Sequence, residues 1–492
     1  MRRSGSSGLP CSLSIVVPIL LLLVSGKALA GGIHARRNGH ERTRSLPGVF
    51  PQTIPAHEYS EDSAGISETL NTAAPTDTSR NAFFQSIGTN GRACVSCHEP
   101  RSAWTVSTAS IQKRFAESNG TDPIFRVNDG ATCDTDDVST PQARREAYKL
   151  LLQQGLIRIA LTIPSSRDFE ITAVSDPYGC TDLTSSTVSF YRRPLPSANL
   201  KFLGCPSGNP PSNCGLSVMW DGREPSLRSQ ATNATLGHAQ GNSAPTDAQL
   251  DQIVNFETGI FDAQIFDQEA GRLDKHGATG GPDNLSTQEF YIGINDVLSP
   301  GFTDDVFTLY GAWANQSGDD DARARAAIAR GEALFNTRQF TITGVNGLNL
   351  FSFDPLGAAP FTGGCVTCHD SPNVGNHSKK LPIDIGVPDA VTPVLNIAAL
   401  PVFTVACTET TGPLAGVVFN VTDLGRAAIT GKCADVGKFK GPILHGLAAR
   451  APYFNNGSAA TLDDVVNFYD QRFSIGFTDQ EKADLVAFLK TL

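Results

Sequence analysis

The sequence predicts a mainly α-helical protein of two similar domains, the first of which carries a long loop-rich insertion. Three observations support this fold class. A Cys-x-x-Cys-His motif occurs twice, in GRACVSCHEP at 91–100 and in GGCVTCHDSP at 363–372. A helical pattern precedes the second motif, and another closes the chain. Between the motifs, residues 99–219 are rich in turn residues and loop signals.

The first thirty residues have the pattern of a secretory signal peptide. Arg2 and Arg3 precede the apolar run SLSIVVPILLLLV, and small residues end the segment near Ala28 and Ala30. An uncleaved anchor is the alternative, although the run is short for a membrane span. We therefore expect residues 1–30 to be a signal peptide, the protein to be periplasmic, and the mature chain to have no membrane span.

The remaining chain divides into an arm and two domains. Residues 31–75 lack sustained periodicity, which predicts a flexible N-terminal arm. The first domain is expected at 76–315, with its insertion at 99–219 containing short strands such as LLQQGLIRIALTI. Polar residues accumulate in NQSGDDDARA, and this composition change predicts a boundary to a second domain at 316–492.

Helix signals are strongest in the second domain. ARARAAIARGEALFN predicts a helix despite Gly331, and TDQEKADLVAFLKTL predicts another, with Thr478 and Glu481 spaced as a capping box. In SAATLDDVVNFYDQ, Thr461 and Asp464 have the same spacing. The residues that follow on one face of that helix are Leu462, Val465, Val466 and Tyr469.

Charge and cysteine use narrow the function. The formal net charge of −10 argues against nucleic-acid binding, which needs lysine and arginine clusters, and favours a basic redox partner. Eleven cysteines are present, of which Cys11 would leave with the signal peptide and four belong to the motifs. The even remainder predicts up to three disulfides, with the connectivity left open and free buried thiols as the alternative. These six are Cys133, Cys180, Cys205, Cys214, Cys407 and Cys433, of which 205 with 214 and 407 with 433 are sequence neighbours.

The Cys-x-x-Cys-His motif is the attachment sequence of c-type haem. Its two thiols form thioethers to the haem, and the adjacent imidazole coordinates the iron. A redox dithiol would need a βαβ context, and a zinc site would need four neighbouring ligands. The sequence therefore predicts two cytochrome c-like domains with two covalently bound haems. Cys94, Cys97 and His98 would hold the first, and Cys365, Cys368 and His369 the second.

The ligand on the opposite face of each iron separates electron transfer from oxygen chemistry. The chain has only two methionines, so a methionine ligand in the mature protein could only be Met219. Histidines outside the arm and the two motifs are the other candidates, namely His238, His276, His377 and His445. Tyr469 points with the apolar stripe of its helix, for which core packing is the simple explanation.

Further segments resemble the di-haem cytochrome c peroxidase and MauG family. MWDGREPSLRSQA at 219–231 is similar to the family's WDGR segment. KFKGPILHGLAARAPYFNNGSAATLDDVVNFYD at 438–470 is similar to its APYF segment and the helix that follows. The resemblance covers most of 80–310 and 320–492 but is weak in the insertion. It implies that the N-terminal haem reacts with hydrogen peroxide and that the C-terminal haem exchanges electrons.

The resemblance also implies roles for single residues. Trp220 of the WDGR segment would lie between the haems and relay electrons, with core packing as the alternative. Tyr469 falls where peroxidases have a methionine ligand and MauG-like members a tyrosine, so it is expected to be an axial ligand of the second haem. Phenolate ligation favours oxidised iron. His445 is the other candidate for that position.

The distal side of the first haem departs from the family pattern. No histidine lies between His98 and His238, so we expect the sixth position to be open or filled by water. The family places a glutamate about twenty residues after the tryptophan, and here His238 occupies that region. His238 is expected to move the proton during peroxide cleavage. A surface position is the alternative for His238, and Glu257 is the second candidate.

Partners and cofactors follow from the same resemblance. The electron donor would be a small c-type cytochrome or a cupredoxin. A protein or organic substrate oxidised as by MauG is the other possibility. One calcium ion between the domains is a further expectation, with Pro452 in the matching segment. A non-catalytic di-haem electron-transfer cytochrome and a haem-based sensor remain alternatives to an enzyme.

Overall fold

A computed structural model describes residues 51–181, 183–203, 218–392 and 394–492. The expected signal peptide, the first part of the expected arm, and the neighbouring pair Cys205 and Cys214 lie outside these residues. The described residues belong to one compact unit, Ser45–Leu492, so the division into domains at 76–315 and 316–492 stays a prediction. None of the described helices is both long enough and apolar enough to cross a membrane.

The described part of the chain contains ten α-helices and thirteen β-strands. The helices are α1 (Thr108–Ser118), α2 (Pro141–Ala147), α3 (Lys149–Gln154), α4 (Leu227–Gly237), α5 (Asp247–Gly259), α6 (Pro282–Thr287), α7 (Asp320–Thr337), α8 (Ala427–Thr430), α9 (Leu462–Phe473) and α10 (Asp479–Leu489). The strands are β1 (Thr53–Ile54), β2 (His57–Glu61), β3 (Gly65–Asn71), β4 (Thr76–Asp77), β5 (Ile157–Thr162), β6 (Phe169–Ser175), β7 (Thr187–Arg192), β8 (Ile260–Asp267), β9 (Gly271–Arg272), β10 (Phe340–Ile342), β11 (Phe361–Gly363), β12 (Val402–Cys407) and β13 (Val418–Val421). The expectation of a mainly α protein therefore understates the strands.

The expected flexible arm is wrong for the residues after 52. Strands β2, β3, β8 and β9 form one antiparallel sheet in that order, with Gly65 opposite Asp267 and Asn71 opposite Ile260. The buried side chains of β3 are mostly polar, for example Glu68 and Thr69. A search for apolar periodicity misses such a strand, because its polar groups are satisfied by partners on other strands.

The insertion is an ordered part of the structure. Its strands β5 and β7 pair with each other, while β6, which lies between them in the chain, pairs with β12 in the antiparallel sheet β13-β12-β6. Within LLQQGLIRIALTI, only the second half is a strand, because α3 ends at Gly155 with a φ of +64°. A Cβ at Gly155 would lie 2.0 Å from Nη1 of Arg193, so this turn also needs the small residue.

The second half contains the three helices predicted for it. α7 starts where the side chain of Asp319 accepts a hydrogen bond from the Ala322 amide, and α9 and α10 start at Thr461 and Thr478 with the expected capping boxes. Helices α7 and α10 cross closely, since a Cβ at Gly331 would lie 2.0 Å from the Asp484 carbonyl oxygen. Gly331 therefore serves helix packing, at the cost of lower helix propensity.

Two disulfides lie in the described residues. Cys407–Cys433 joins one of the neighbouring pairs, and Cys133–Cys180 ties two parts of the insertion together. The four cysteines of the two motifs take part in neither disulfide.

Candidate functional site

The two Cys-x-x-Cys-His loops have the same local geometry. Each opens with a short 3-10 turn, Cys94–Ser96 in one and Cys365–Thr367 in the other. In both loops the hydroxyl of the turn's last residue accepts a hydrogen bond from the amide just before the first cysteine. This distance is 3.0 Å for Ser96 Oγ with Ala93 N, and 3.0 Å for Thr367 Oγ1 with Gly364 N. The hydroxyl residue between the cysteines thus fixes the turn.

Each motif histidine is held by a carbonyl six residues further on. His98 Nδ1 lies 3.0 Å from the Trp104 carbonyl oxygen, and His369 Nδ1 lies 2.7 Å from that of Gly375. A carbonyl only accepts, so Nδ1 carries the proton and Nε2 is left as a possible metal ligand. Burial lowers the pKa of His98 to about 4 and also lowers the pKa of His369, so both rings are neutral near pH 7.

The motif thiols are poor redox groups. Burial raises the pKa of Cys365 and of Cys368 to about 12, and it also raises the pKa of Cys94 and Cys97. A dithiol oxidoreductase needs a lowered thiol pKa, so this alternative does not fit. Zinc does not fit either. In the described residues, the one His, Cys, Asp and Glu group close enough to hold a metal ion is His57, Glu68 and Asp283, away from both motifs.

Each motif borders its own large cavity. The first cavity is lined by Cys94, Cys97 and His98. The second cavity is lined by Cys365, Cys368 and His369. Most other lining side chains are apolar in both. Two thiols and one free imidazole nitrogen at the edge of an apolar cavity are the donor set that a c-type haem requires.

Buried cations around the cavities also fit a haem. Lys440 lines both cavities, and Arg193 and Arg450 line the second. Burial lowers the pKa of Lys440 to about 8 and that of Arg450 to about 10; burial and the Arg450 charge lower that of Arg193 to about 9. Across the described residues, none of the three has a carboxylate within ion-pair distance. A haem carries two propionates, which would supply the missing negative charge.

His238 lies on the first cavity and is paired with a buried carboxylate. It follows the last residue of α4, and its Nδ1 lies 2.5 Å from Asp129 Oδ2. Arg92 Nη1 donates to the other oxygen of Asp129. Burial alone would raise the pKa of Asp129, but the His238 hydrogen bond and the Arg92 charge hold it below its usual value. An ionised Asp129 therefore fixes the ring of His238, with Nε2 as its unpaired nitrogen.

Glu257 is a second titratable group on this cavity. It lies on α5, is 4% exposed, and its Oε2 has no hydrogen-bond partner in the described residues. Burial raises the pKa of Glu257 to about 8, so the side chain carries a proton at neutral pH. A protonated acid beside the cavity can donate a proton.

Asp129 and Arg92 were not predicted from the sequence. Asp129 lies in the insertion, where the family resemblance is weak, and it is separated from His238 by 109 residues. No local pattern marks it, because an aspartate in a glycine-rich turn is ordinary. Arg92 directly precedes the first motif loop, which is the one signal that could have drawn attention to it.

Trp220 lies in the wall between the cavities. It lines the second cavity, while its neighbour Met219 lines the first. The indole Nε1 donates to the Arg193 carbonyl oxygen at 2.8 Å, and the Trp220 carbonyl accepts from the Lys440 amide at 2.9 Å. This position suits the expected relay, whose role stays a prediction.

The insertion holds the WDGR loop in place. Arg192 at the end of β7 donates to Asp221 through Nη1. The same guanidinium donates to Asp423 at 2.6 and 2.8 Å. All three groups are buried, so breaking either pair would leave an uncompensated charge. The insertion therefore links Trp220 to the C-terminal half.

The second cavity has an aromatic wall that includes Tyr469. This residue lies on α9, 6.4 Å from the Phe473 ring and 6.3 Å from the Phe454 ring. Burial, with smaller contributions from Cys368 and Cys365, raises the pKa of Tyr469. Tyr469 and the motif thiols line the same cavity, as the expected ligand role requires.

The other three candidate histidines lie in different places. His377 lines the second cavity, with Nδ1 2.9 Å from Asp370 Oδ2. His445 lines the first cavity instead, and its Nε2 lies 2.7 Å from the Asn373 carbonyl oxygen. This position does not favour His445 as a ligand of the second haem. His276 is exposed and lines neither cavity.

The residues around Pro452 do not favour calcium. The carbonyl oxygen of Arg450, two residues earlier, accepts a hydrogen bond from Nη2 of Arg193 at 2.9 Å. The same nitrogen donates to the Val106 carbonyl at 2.6 Å. A guanidinium thus takes the backbone oxygens and adds positive charge where a divalent cation would need negative charge.

The two motif loops, their cavities and the buried cations define a protein of the c-type haem class. No protein-family model matches the chain. Cytochrome-c peroxidase IdrP2 of Denitromonas iodatirespirans is 37% identical over 139 residues, 26% of this chain and 36% of that protein. Cytochrome-c peroxidase IdrP1 of Pseudomonas sp. (strain SCT) is 25% identical over 293 residues, 56% of this chain and 64% of that protein. These matches confirm the resemblance: over part of its length, the chain is similar to cytochrome c peroxidases.

The matches are partial. The chain spans less than two thirds of the length of either relative. Among solved structures, a MauG-like protein associated with microbial copper homeostasis aligns with 84% of this chain and 87% of its own. That alignment has 16% identity and a TM-score of 0.36, too low to support a conclusion about the fold.

Proposed function

We propose that the protein is an exported di-haem c-type oxidoreductase that reduces hydrogen peroxide at the first cavity and exchanges electrons through the second. The observation that carries this proposal is the Asp129–His238 pair on the wall of the first cavity. Peroxide cleavage needs a group that moves a proton between the two oxygens. The second cavity differs by its wall of aromatic rings, which includes Tyr469, although it too has a His–Asp pair, His377 with Asp370.

A haem bound to Cys94, Cys97 and His98 would supply an iron that binds peroxide and delivers electrons to it. His238 Nε2 accepts a proton from one peroxide oxygen and returns it to the oxygen that leaves as water. Asp129 holds the Nδ1 proton and stabilises the imidazolium form during this transfer. Conversion of one peroxide to two waters takes two electrons and two protons, and protonated Glu257 can provide one of these protons.

The second cavity has a different task in this proposal. Together with His369, Tyr469 would hold the metal of a second haem, and its oxygen would favour the oxidised state of that metal. Trp220 relays electrons across the wall to the first cavity. The donor is a small basic c-type cytochrome or cupredoxin, or a protein or organic substrate that becomes oxidised. The protein works in the periplasm, where c-type haems and disulfides are formed.

Electron paramagnetic resonance of the ferric protein, before and after one equivalent of peroxide, tests the proposal. We expect a high-spin component that disappears with peroxide, and turnover with a reducing dye. The matched variants are His238→Gln, which should slow the reaction, and His276→Gln at an exposed histidine, which should not. If both haems are entirely low-spin and their spectra do not change with peroxide, the proposal is wrong and an electron-transfer cytochrome is favoured.

A further inference from the structure

A second tryptophan lies beside the first motif, on the side of its histidine. Trp104 is fully buried, and its carbonyl oxygen holds His98 Nδ1 at 3.0 Å. The Phe83 ring lies 6.0 Å from the Trp104 ring and 6.4 Å from the His98 ring. Trp104 also packs edge-on against Phe256 at 5.3 Å. Trp104 therefore belongs to a cluster of aromatic rings that contacts the His98 imidazole through Phe83.

The indole of Trp104 begins a hydrogen-bonded chain to a buried carboxylate. Its Nε1 donates to Thr69 Oγ1 at 2.8 Å, and Thr69 Oγ1 donates to Asp262 Oδ2 at 2.7 Å. Asp262 is 1% exposed, lines the first cavity, and its Oδ1 has no hydrogen-bond partner in the described residues. Burial raises the pKa of Asp262 to about 7, so an added proton is readily held there.

Packing alone does not require this arrangement. The hydroxyl of Thr69 already accepts the hydrogen bond from the Trp104 indole, so Asp262 is not needed for that purpose. Burying Asp262 without a cationic partner costs free energy. Asp262 is connected to the indole through a chain of two hydrogen bonds. The negative charge of the ionised Asp262 stabilises positive charge on the Trp104 ring. The surroundings of Trp220 are the opposite. Its N–H donates to the Arg193 backbone carbonyl, which cannot take a proton.

We infer that Trp104 is a redox-active side chain that supplies one of the two electrons for peroxide reduction. This inference rests on the proposed function. The Trp104 indole loses one electron to the first haem site. Its Nε1 proton passes to Thr69 Oγ1 as the Thr69 hydroxyl proton passes to Asp262 Oδ2. The product is a neutral tryptophan radical, and an electron from the donor later restores the indole as the protons return.

Freeze-quench electron paramagnetic resonance of the haem-loaded protein after one equivalent of peroxide tests this inference. We expect a protein radical whose spectrum narrows when the chain contains ring-deuterated tryptophan. The chain has only three tryptophans, so substitution assigns the signal. Trp104→Phe should lower the radical yield at least tenfold. Trp313→Phe, the matched control at another fully buried tryptophan, should keep the wild-type yield.

Two further variants keep the test decisive. Thr69→Val cuts the hydrogen-bonded chain without touching the ring, and it should lower the radical yield severalfold at unchanged haem content. Trp220→Phe should retain the radical, which assigns it by elimination if Trp104→Phe fails to fold. A wild-type signal in Trp104→Phe, or one lost only in Trp220→Phe, would overturn the inference. If the protein consumes peroxide normally but forms no tryptophan radical, the inference about Trp104 is wrong and the proposed function stands. If the protein consumes no peroxide, both are wrong.

Discussion

The two cavities share the same motif loop and differ in what faces it. Beside the first lie groups that hold or move protons, namely His238 with Asp129, and Glu257. Beside the second lie mainly aromatic side chains, including Tyr469, together with the His377–Asp370 pair. Both sites have the same attachment residues, two cysteines and a histidine. The other side chains that line each cavity make the two sites chemically different. The contrast indicates that the motif determines haem attachment, while side chains brought from elsewhere determine the chemistry.

The largest expected effect comes from removing either attachment site. Cys94→Ser with Cys97→Ser should remove one of two haem equivalents and abolish the reaction with peroxide. Cys365→Ser with Cys368→Ser should also remove one equivalent, but peroxide should still bind at the first site. Haem content from the pyridine haemochrome and stopped-flow spectra measure both results. Equal loss of peroxide binding in the two variants would remove the functional difference between the cavities.

Loss of the proton-moving group should come next in size. His238→Gln is expected to slow the reaction with peroxide roughly 100- to 10,000-fold, because general acid-base catalysis contributes about that much. Asp129→Asn should slow it less, since the histidine remains but its Nδ1 proton is no longer held by a charge. The bimolecular rate constant is measured by stopped flow, with exposed His276→Gln as the control. An unchanged rate constant in His238→Gln would place the acid-base group elsewhere.

Tyr469→Phe should change the second site and leave the first alone. Removing the phenol oxygen should raise the reduction potential of that site, because oxygen ligation favours the oxidised metal. Spectroelectrochemical titration measures both potentials in one experiment. Tyr453→Phe is a matched control, since Tyr453 also lines the second cavity but its hydroxyl is taken by the Leu447 carbonyl at 2.8 Å. If both potentials in Tyr469→Phe equal the wild-type values, Tyr469 is not a ligand.

The smallest effect concerns pH and stability. The folded chain keeps the Glu257 proton up to about pH 8, whereas an unfolded glutamate loses it near 4.5. The folded state therefore binds more protons between these values, and the free energy of unfolding should fall as pH rises through this window. The slope is on the order of 1 kcal/mol per pH unit.

Glu257→Gln should remove this contribution to the slope, while the exposed Glu117→Gln should not. Urea unfolding of the haem-loaded protein at pH 5 and pH 8 gives the comparison. A slope in Glu257→Gln that equals the wild-type slope would show that the Glu257 carboxyl is not held protonated.

Local signals in the sequence predicted the parts of the structure that form locally. Helix α9 starts at Thr461 because its cap and its apolar stripe lie within a dozen residues. Strand β3 escaped prediction because its buried side chains are polar and are satisfied by distant partners such as Asp262. The pairing of β6 with β12 was not predicted either. Paired residues of these strands are 227 or more positions apart, and sequence periodicity does not indicate which strand edge another strand will join.

The sequence by itself determined where thiols and imidazole meet, because Cys-x-x-Cys-His places all three groups within five residues and a single turn brings them together. It also determined the helices of the second half, through caps and apolar spacing. Tertiary structure alone decided that Asp129 would hold His238 and that Trp104 would connect through Thr69 to Asp262. Such contacts join residues far apart in the chain, and their geometry exists only after the separate segments have packed against one another.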